Sequence, residues 1–382
     1  MELFDVYPIL DIELTKGKGV YVFDKQGHMY LDFYGGHAVI SIGHSHPYYV
    51  RSLTEQIHKI SYYSNSVFIF QKKKLAHLLG YISGYENYSL FLCNSGTESN
   101  ENALKIASFH TGKKKVIAFK GSFHGRTSGS VSVTDNYKFV SPFDAQHETI
   151  FIDYKDIGIL ENKLKRGDIC ALITEGIQGL SGIIDPGFDF FCKVGSLCKK
   201  YNTVFILDEV QSGYGRTGYF FSHQLYPIKP DLITIAKGMG NGFPIGGVLI
   251  HPKFKPYHGM LGTTFGGNHL ACTAGISVLE IIKKENLIEN AKKMGKILLQ
   301  ELRMIPKIKK IRGRGLMLGL EFDFPIQDLK NILIYKEKVF VGISTNSCVL
   351  RLLPPLSING NHIKLFLTKL KNALAYLDDK KK

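Results

Sequence analysis

The chain has 382 residues, more than one typical core holds, so a large unit with a smaller companion is expected. A 44% hydrophobic content with no run approaching ~20 uncharged apolar residues excludes both a disordered chain and a membrane partner. The net charge of +15 invites nucleic acid, yet the basic residues are dispersed, with short clusters only at 72–74, 113–115 and 380–382, so no nucleic-acid partner is expected. The first predicted elements are strands at 19–23 and 29–33, joined as a hairpin by a turn at 24–27. From about Pro47 to Pro252, helical patterns alternate with apolar runs at 90–93, 116–119, 150–152, 171–173, 204–207, 232–236 and 248–250. Runs apolar throughout predict a mostly parallel sheet covered on both faces. Beyond about Leu270 the pattern changes to helices at 270–284 and 287–304, then strands at 316–320 and 349–353. That predicts an N-terminal segment (1–46) contributing to a small domain, a large domain (47–255) and a C-terminal small domain (256–382).

The N-terminus is acidic and lacks a signal-peptide layout. Six cysteines without CxxC spacing read as buried free thiols rather than disulfides or metal ligands. A reducing cytoplasm and no metal are therefore expected.

Two of the apolar runs end in chemistry. Residues 204–207 lead into Asp208, and 232–236 lead into Lys237 and then glycines. A carboxylate and an amine at neighbouring strand tips are what pyridoxal phosphate chemistry needs. The lysine forms a Schiff base with the cofactor aldehyde, and the acid keeps the pyridine nitrogen protonated. Taken singly, Asp208 reads as a helix cap and Lys237 as a solvated tip. Cys93-Asn94-Ser95-Gly96-Thr97-Glu98 opens a predicted helix running to about His110, as either a phosphate cradle or an ordinary N-cap. Gly121-Ser122-Phe123-His124-Gly125-Arg126-Thr127 offers a ring face in Phe123 and a carboxylate fork in Arg126. Gln211 follows Asp208 closely enough to reach the same ring, and Gly262–Asn268 carries the hydroxyl pair Thr263 and Thr264.

In order and spacing, the segments NSGTESNENALK, SFHGRTSGS, LDEVQSGYGRTG, AKGMGNGFPIGG, GTTFGGN, GRGLMLGLE and LRLLPPL resemble class III (subgroup II) pyridoxal phosphate aminotransferases. The likeness is strongest to acetylornithine aminotransferases. It implies fold type I, an α/β large domain with a mostly parallel seven-stranded sheet plus a smaller α+β domain. It also implies a cofactor site of Ser95, Gly96, Thr97, Phe123, His124, Asp208, Gln211, Lys237 and Thr264. In that likeness Lys237 and Asp208 are catalytic, and Thr264 reaches the neighbouring subunit's cofactor in a homodimer with shared sites. Arg126 resembles the residue that grips the substrate α-carboxylate, and Arg351 the one that binds the carboxylate of 2-oxoglutarate. Composition alone leaves Arg351 open to a surface ion pair.

Two departures stand out. In Glu175-Gly176-Ile177-Gln178-Gly179-Leu180, a leucine replaces the family's second glutamate, which in related enzymes pairs with the C-terminal substrate arginine. His37 stands near the position where ornithine δ-aminotransferases carry a substrate tyrosine, unless it is a capping or buried histidine. The resemblance implies transamination of N-acetylornithine with 2-oxoglutarate in arginine synthesis. Its alternatives are N-succinylornithine, N-succinyl-diaminopimelate, ornithine or 4-aminobutyrate as donor, or the glutamate-1-semialdehyde mutase reaction.

Overall fold

The computed structural model describes residues 1–379; the lysine cluster 380–382 lies outside them. Strands β1 (Leu14–Lys18), β2 (Tyr21–Asp24) and β3 (Met29–Asp32) form an antiparallel meander at the N-terminal end. The turn between β2 and β3 needs Gly27 at φ 85°, the left-handed region that a side chain disfavours.

The seven apolar runs become seven strands of one sheet. They are β4 (Ser89–Cys93), β5 (Lys115–Phe119), β6 (Thr149–Ile152), β7 (Ile169–Glu175), β8 (Val204–Asp208), β9 (Leu232–Ile235) and β10 (Gly246–Ile250), in spatial order β4-β10-β9-β8-β7-β5-β6. Only β10 runs against its neighbours. Every residue of β7, β8 and β9 is buried, which explains why these runs show no polar alternation. Strand register sets the chemistry that follows: Glu175 on β7 is the direct neighbour of Asp208 on β8.

Helices His269–Lys284 and Leu287–Leu302 then lead to β11 (Lys310–Arg314), β12 (Met317–Glu321), β13 (Val339–Phe340), β14 (Gly342–Ile343) and β15 (Val349–Leu352). Four of these make a second sheet, β11-β12-β15-β14. The two-residue β13 instead pairs in parallel with β3, so the two ends of the chain share a sheet. The final helix, Gly360–Asp379, stacks Phe366 on Phe33 at 4.2 Å between ring centroids. All six cysteines are free, four of them buried, and no helix among the described residues is long and apolar enough to cross a membrane.

Arg216 ties these parts together. It is fully buried, and its guanidinium donates to the carbonyls of Pro354, Leu316 (3.3 Å) and Ile40 (3.4 Å). Burial draws its pKa down to about 9, so the group is still charged at neutrality. Replacing it with alanine strands three buried carbonyls and leaves a void. The expected loss is about 2–4 kcal/mol of stability, read as a lowered denaturation midpoint.

Residues 35–38 form a left-handed turn, with φ of 57°, 54°, 65° and 66° at Gly35, Gly36, His37 and Ala38. The two non-glycine residues there cost about 1–2 kcal/mol each. The turn persists because the Asp32 carboxylate accepts from the Tyr34 and Gly35 N–H groups, and Val39 N–H donates to Gly35 O at 2.8 Å. Strain held this way marks sites where geometry matters more than stability.

Candidate active site

Asp208 ends β8 and is buried. Its Oδ2 lies 2.7 Å from His124 Nδ1 and accepts from Asn100 Nδ2 at 2.8 Å, while Oδ1 accepts from Val210 N–H at 2.9 Å. Asn100 also donates to His124 O at 2.7 Å, locking both donors against the carboxylate. A carboxylate has about four acceptor positions. Three are used, and one remains for a further N–H.

Lys237 lies two residues beyond β9, the strand beside β8, and has φ 46°. Burial draws its ammonium below the ordinary lysine value, Asp208 and Glu175 pull it back up, and Arg351 pushes it down. The third tip in this row is Glu175, whose Oε1 accepts from Phe123 N–H and whose Oε2 accepts from Gly179 N–H, both at 3.0 Å. Burial raises it to about 7; His124 opposes this rise and Asp208 adds to it.

Helix Gly96–Thr111 starts beside this row. Ser95 caps it, its Oγ accepting from Glu98 N–H at 3.3 Å, so the ordinary capping role is real. The cap leaves the N–H groups of the first turn without helical partners. A Cβ at Gly96 would stand 2.6 Å from Val210 Cγ1, so only glycine lets the helix start close onto the Asp208 loop. Thr97 Oγ1 is 2.7 Å from Thr127 Oγ1, which fastens the helix to the Arg126 loop. Phe123 is half-buried on that loop, edge-on to Phe139, while exposed Arg126 lays its guanidinium 4.0 Å over the Phe139 ring. Gln211 Nε2 donates to His37 O at 3.1 Å and so joins the left-handed turn to the Asp208 loop.

Arg351, on β15, is buried rather than on the surface, and its Nε donates to Ile343 O at 2.5 Å. Among the described residues no carboxylate lies within ion-pair distance of it. Both cross-strand neighbours, Gly319 and Gly342, are glycines. A Cβ on Gly342 would meet the Tyr34 ring at 2.6 Å, so that aromatic ring packs beside the arginine. Tyr34 Oη lies 2.5 Å from His37 Nδ1. Burial, with Arg351 and Lys237 nearby, lowers His37 to about 4, which keeps this pair neutral at ordinary pH. Thr264 is exposed on the segment after Gly262, with no hydrogen bond to the groups around Asp208. Asn100, Glu175 and Tyr34 were absent from the expected site. A signal existed for Glu175 alone, since it too ends a buried apolar run.

A free acceptor position, an amine with a depressed pKa, a half-buried ring and open N–H groups at a helix start suit a flat, phosphorylated aldehyde. The fold and this cleft define an enzyme that works on amines through such a group. The chain belongs to the class III aminotransferases, whose family model matches residues 5–374. It is similar to the acetylornithine aminotransferase of Bacillus subtilis, with 37% identity over 98% of each chain. It is also similar to that of Aquifex aeolicus, with 38% identity over 97% of this chain and 99% of the relative. Among solved structures it resembles the ornithine aminotransferase of Toxoplasma gondii, described with pyridoxal phosphate at its active site. That likeness has a TM-score of 0.91 and 30% identity, over 99% of this chain and 93% of the other.

Proposed function

We propose that this aminotransferase carries pyridoxal phosphate and moves the terminal amine of N-acetylornithine to 2-oxoglutarate, giving N-acetylglutamate 5-semialdehyde and glutamate in arginine synthesis. The observation that carries the donor is the near full-length similarity to acetylornithine aminotransferases of both bacteria and archaea. When bound, the cofactor supplies an aldehyde carbon for the amine and a ring that withdraws electrons.

The chain's own residues do the rest. Lys237 Nζ, whose burial eases loss of its proton, would take the proton from the amine-bearing carbon and deliver it to the carbon that was the cofactor's aldehyde. Asp208 uses its free acceptor position to hold the ring N–H, while His124 and Asn100 keep its carboxylate oriented. The first-turn N–H groups, with Ser95, Gly96 and Thr97, hold the phosphate. Phe123 covers the ring and Gln211 lies at its edge. Arg126 grips the donor's α-carboxylate, and Arg351, a buried cation without a bonded anion, receives the carboxylate of the oxoacid.

Thr264 acts across a homodimer interface on the partner's phosphate. Supporting this, Val67, Phe68, Phe70 and Phe265 are all exposed, and Asn65 Nδ2 donates to Thr263 O at 2.8 Å, which brings the segment before them beside Thr264. Free cysteines throughout fit a reducing cytoplasm.

The test is absorbance of the yellow holoenzyme during addition of N-acetylornithine, N-succinylornithine or ornithine without oxoacid. Bleaching by N-acetylornithine in preference to the other two is the expected result. Bleaching by N-succinylornithine or ornithine alone would replace the donor. No bleaching by any of them would sink the acylornithine reading. Arg351→Ala is expected to raise the KM for 2-oxoglutarate about 100-fold, with little effect on the donor half-reaction, as steady-state kinetics would report.

A further inference from the structure

We propose that Phe139 is a positioning residue for the amine donor: its ring holds the Arg126 guanidinium by the face and leaves the in-plane N–H groups free for a carboxylate. This rests on Arg126 being the site for the donor's α-carboxylate.

The backbone of Arg126 is pinned on both sides. Before it, Asn100 donates to His124 O at 2.7 Å. Gly125, at φ 140°, packs so closely on helix Gly96–Thr111 that a Cβ there would stand 2.2 Å from Thr97 Oγ1. After it, Thr127 N–H donates to Thr97 Oγ1 at 3.3 Å. The side chain has no such support. Arg126 is exposed, and among the described residues it makes no hydrogen bond and no ion pair. What holds it is the Phe139 ring, whose centroid lies 4.0 Å from Cζ. A guanidinium is drawn to a ring through its flat face, while its five donors lie in the plane and remain free. An arginine stacked beforehand has less rotamer freedom to lose when the carboxylate arrives.

Phe139 is itself fixed. It ends a 3₁₀ turn, Tyr137–Phe139, closed by Phe139 N–H to Asn136 O at 3.0 Å and capped by Asn136 Oδ1, which accepts from Lys138 N–H at 3.1 Å. The segment before that turn is laced to the loop carrying Phe123 and Arg126. Asp135 N–H donates to Ser122 O at 3.0 Å, Gly121 N–H to Asp135 Oδ2 at 2.7 Å, and His124 N–H to Thr134 Oγ1 at 2.9 Å. The Phe139 ring also stands edge-on to Phe123, 6.4 Å between centroids. One side chain thus touches the residue assigned to the cofactor ring and the residue assigned to the donor carboxylate, and it sets the spacing between them.

The test has two readouts on the holoenzyme. One is single-turnover bleaching across a range of N-acetylornithine concentrations. The other is calorimetric binding of N-acetylnorvaline, which keeps the carboxylate and lacks the reacting amine. Phe139→Leu should raise both the half-saturating concentration and the dissociation constant about tenfold, with the limiting bleaching rate within about twofold of wild type. Phe139→Tyr should restore both. An unchanged half-saturating concentration would overturn the proposal. So would a fall in limiting rate alone, which would make the ring a support for the cofactor instead. If Phe139→Leu fails to fold, pentafluorophenylalanine in place of Phe139 keeps the shape and reverses the charge of the ring face. It should weaken the donor in the same way, and wild-type saturation would overturn the proposal. Arg126→Ala separates the two levels. If it leaves half-saturation unchanged, the Arg126 assignment itself falls. If it weakens the donor, adding Phe139→Leu should weaken it no further. An additional tenfold loss would mean that the ring acts without the arginine, and only the positioning role falls.

Discussion

Replacing Lys237 with alanine is expected to lower turnover by at least about 10⁴-fold, since one amine is asked both to hold the cofactor and to move the proton. No second base is built into the row of strand tips. Glu175 spends both oxygens on backbone N–H groups, and Asp208 spends three of its acceptor positions on His124, Asn100 and Val210. The variant should keep its fold and gain stability. With its pKa lowered in the folded state, Lys237 binds its proton more tightly when unfolded. Across neutral pH that difference works against folding, and the alanine removes it. Single-turnover rates and a denaturation midpoint measured on the same preparation check both halves. Turnover within tenfold of wild type would remove the assigned role. Lost turnover with a collapsed midpoint would show that the lysine holds the fold instead.

The large sheet was legible because each of its strands is built on a short, mainly apolar run without polar alternation, and such runs are hard to place anywhere except between two layers. Asp208 and Lys237 were legible for a related reason: a charged residue ending such a run must sit at a strand tip. The same reasoning applies to Glu175, which ends the buried strand β7 just before a glycine-rich turn. Asn100 gave no signal, since an asparagine in the first turns of a helix usually faces solvent. Here its amide is buried under Asp208 by the crossing of the helix over the sheet.

Two-residue strands such as β13 carry no period at all, and its pairing with β3 rests on long-range backbone bonds, Leu31 N–H to Lys338 O and Phe33 N–H to Phe340 O, both at 2.9 Å. The left-handed turn at 35–38 was half visible in its two glycines. That His37 and Ala38 follow them into the same region depends on Asp32, three residues upstream of the turn's first left-handed peptide link. In the sequence, Arg216 is one letter of the LDEVQSGYGRTG segment. Its three carbonyl partners come from segments up to 176 residues away, beyond any local pattern.

Asp208→Asn is expected to lower the rate of the donor half-reaction by about 10³-fold. The side chain keeps its shape, so steric change is a poor explanation for the loss. What disappears is the negative charge that keeps the ring nitrogen protonated, and with it most of the electron withdrawal at the carbon that Lys237 deprotonates. The amide also meets donors where the carboxylate met them. Asn100 Nδ2 and the Val210 N–H both point at this group, and an asparagine can accept from only one side. One buried N–H is left unsatisfied, costing about 1–3 kcal/mol. Stability and rate therefore fall together in this variant, and a single measurement cannot say which loss is primary. His124→Asn resolves the matter, because it removes the 2.7 Å contact to Oδ2 while leaving the charge in place. It should lose a similar amount of stability and keep most of the rate, read as single-turnover bleaching by N-acetylornithine. Equal rate losses in the two variants would mean that orientation of Asp208, and not its charge, is what the reaction needs.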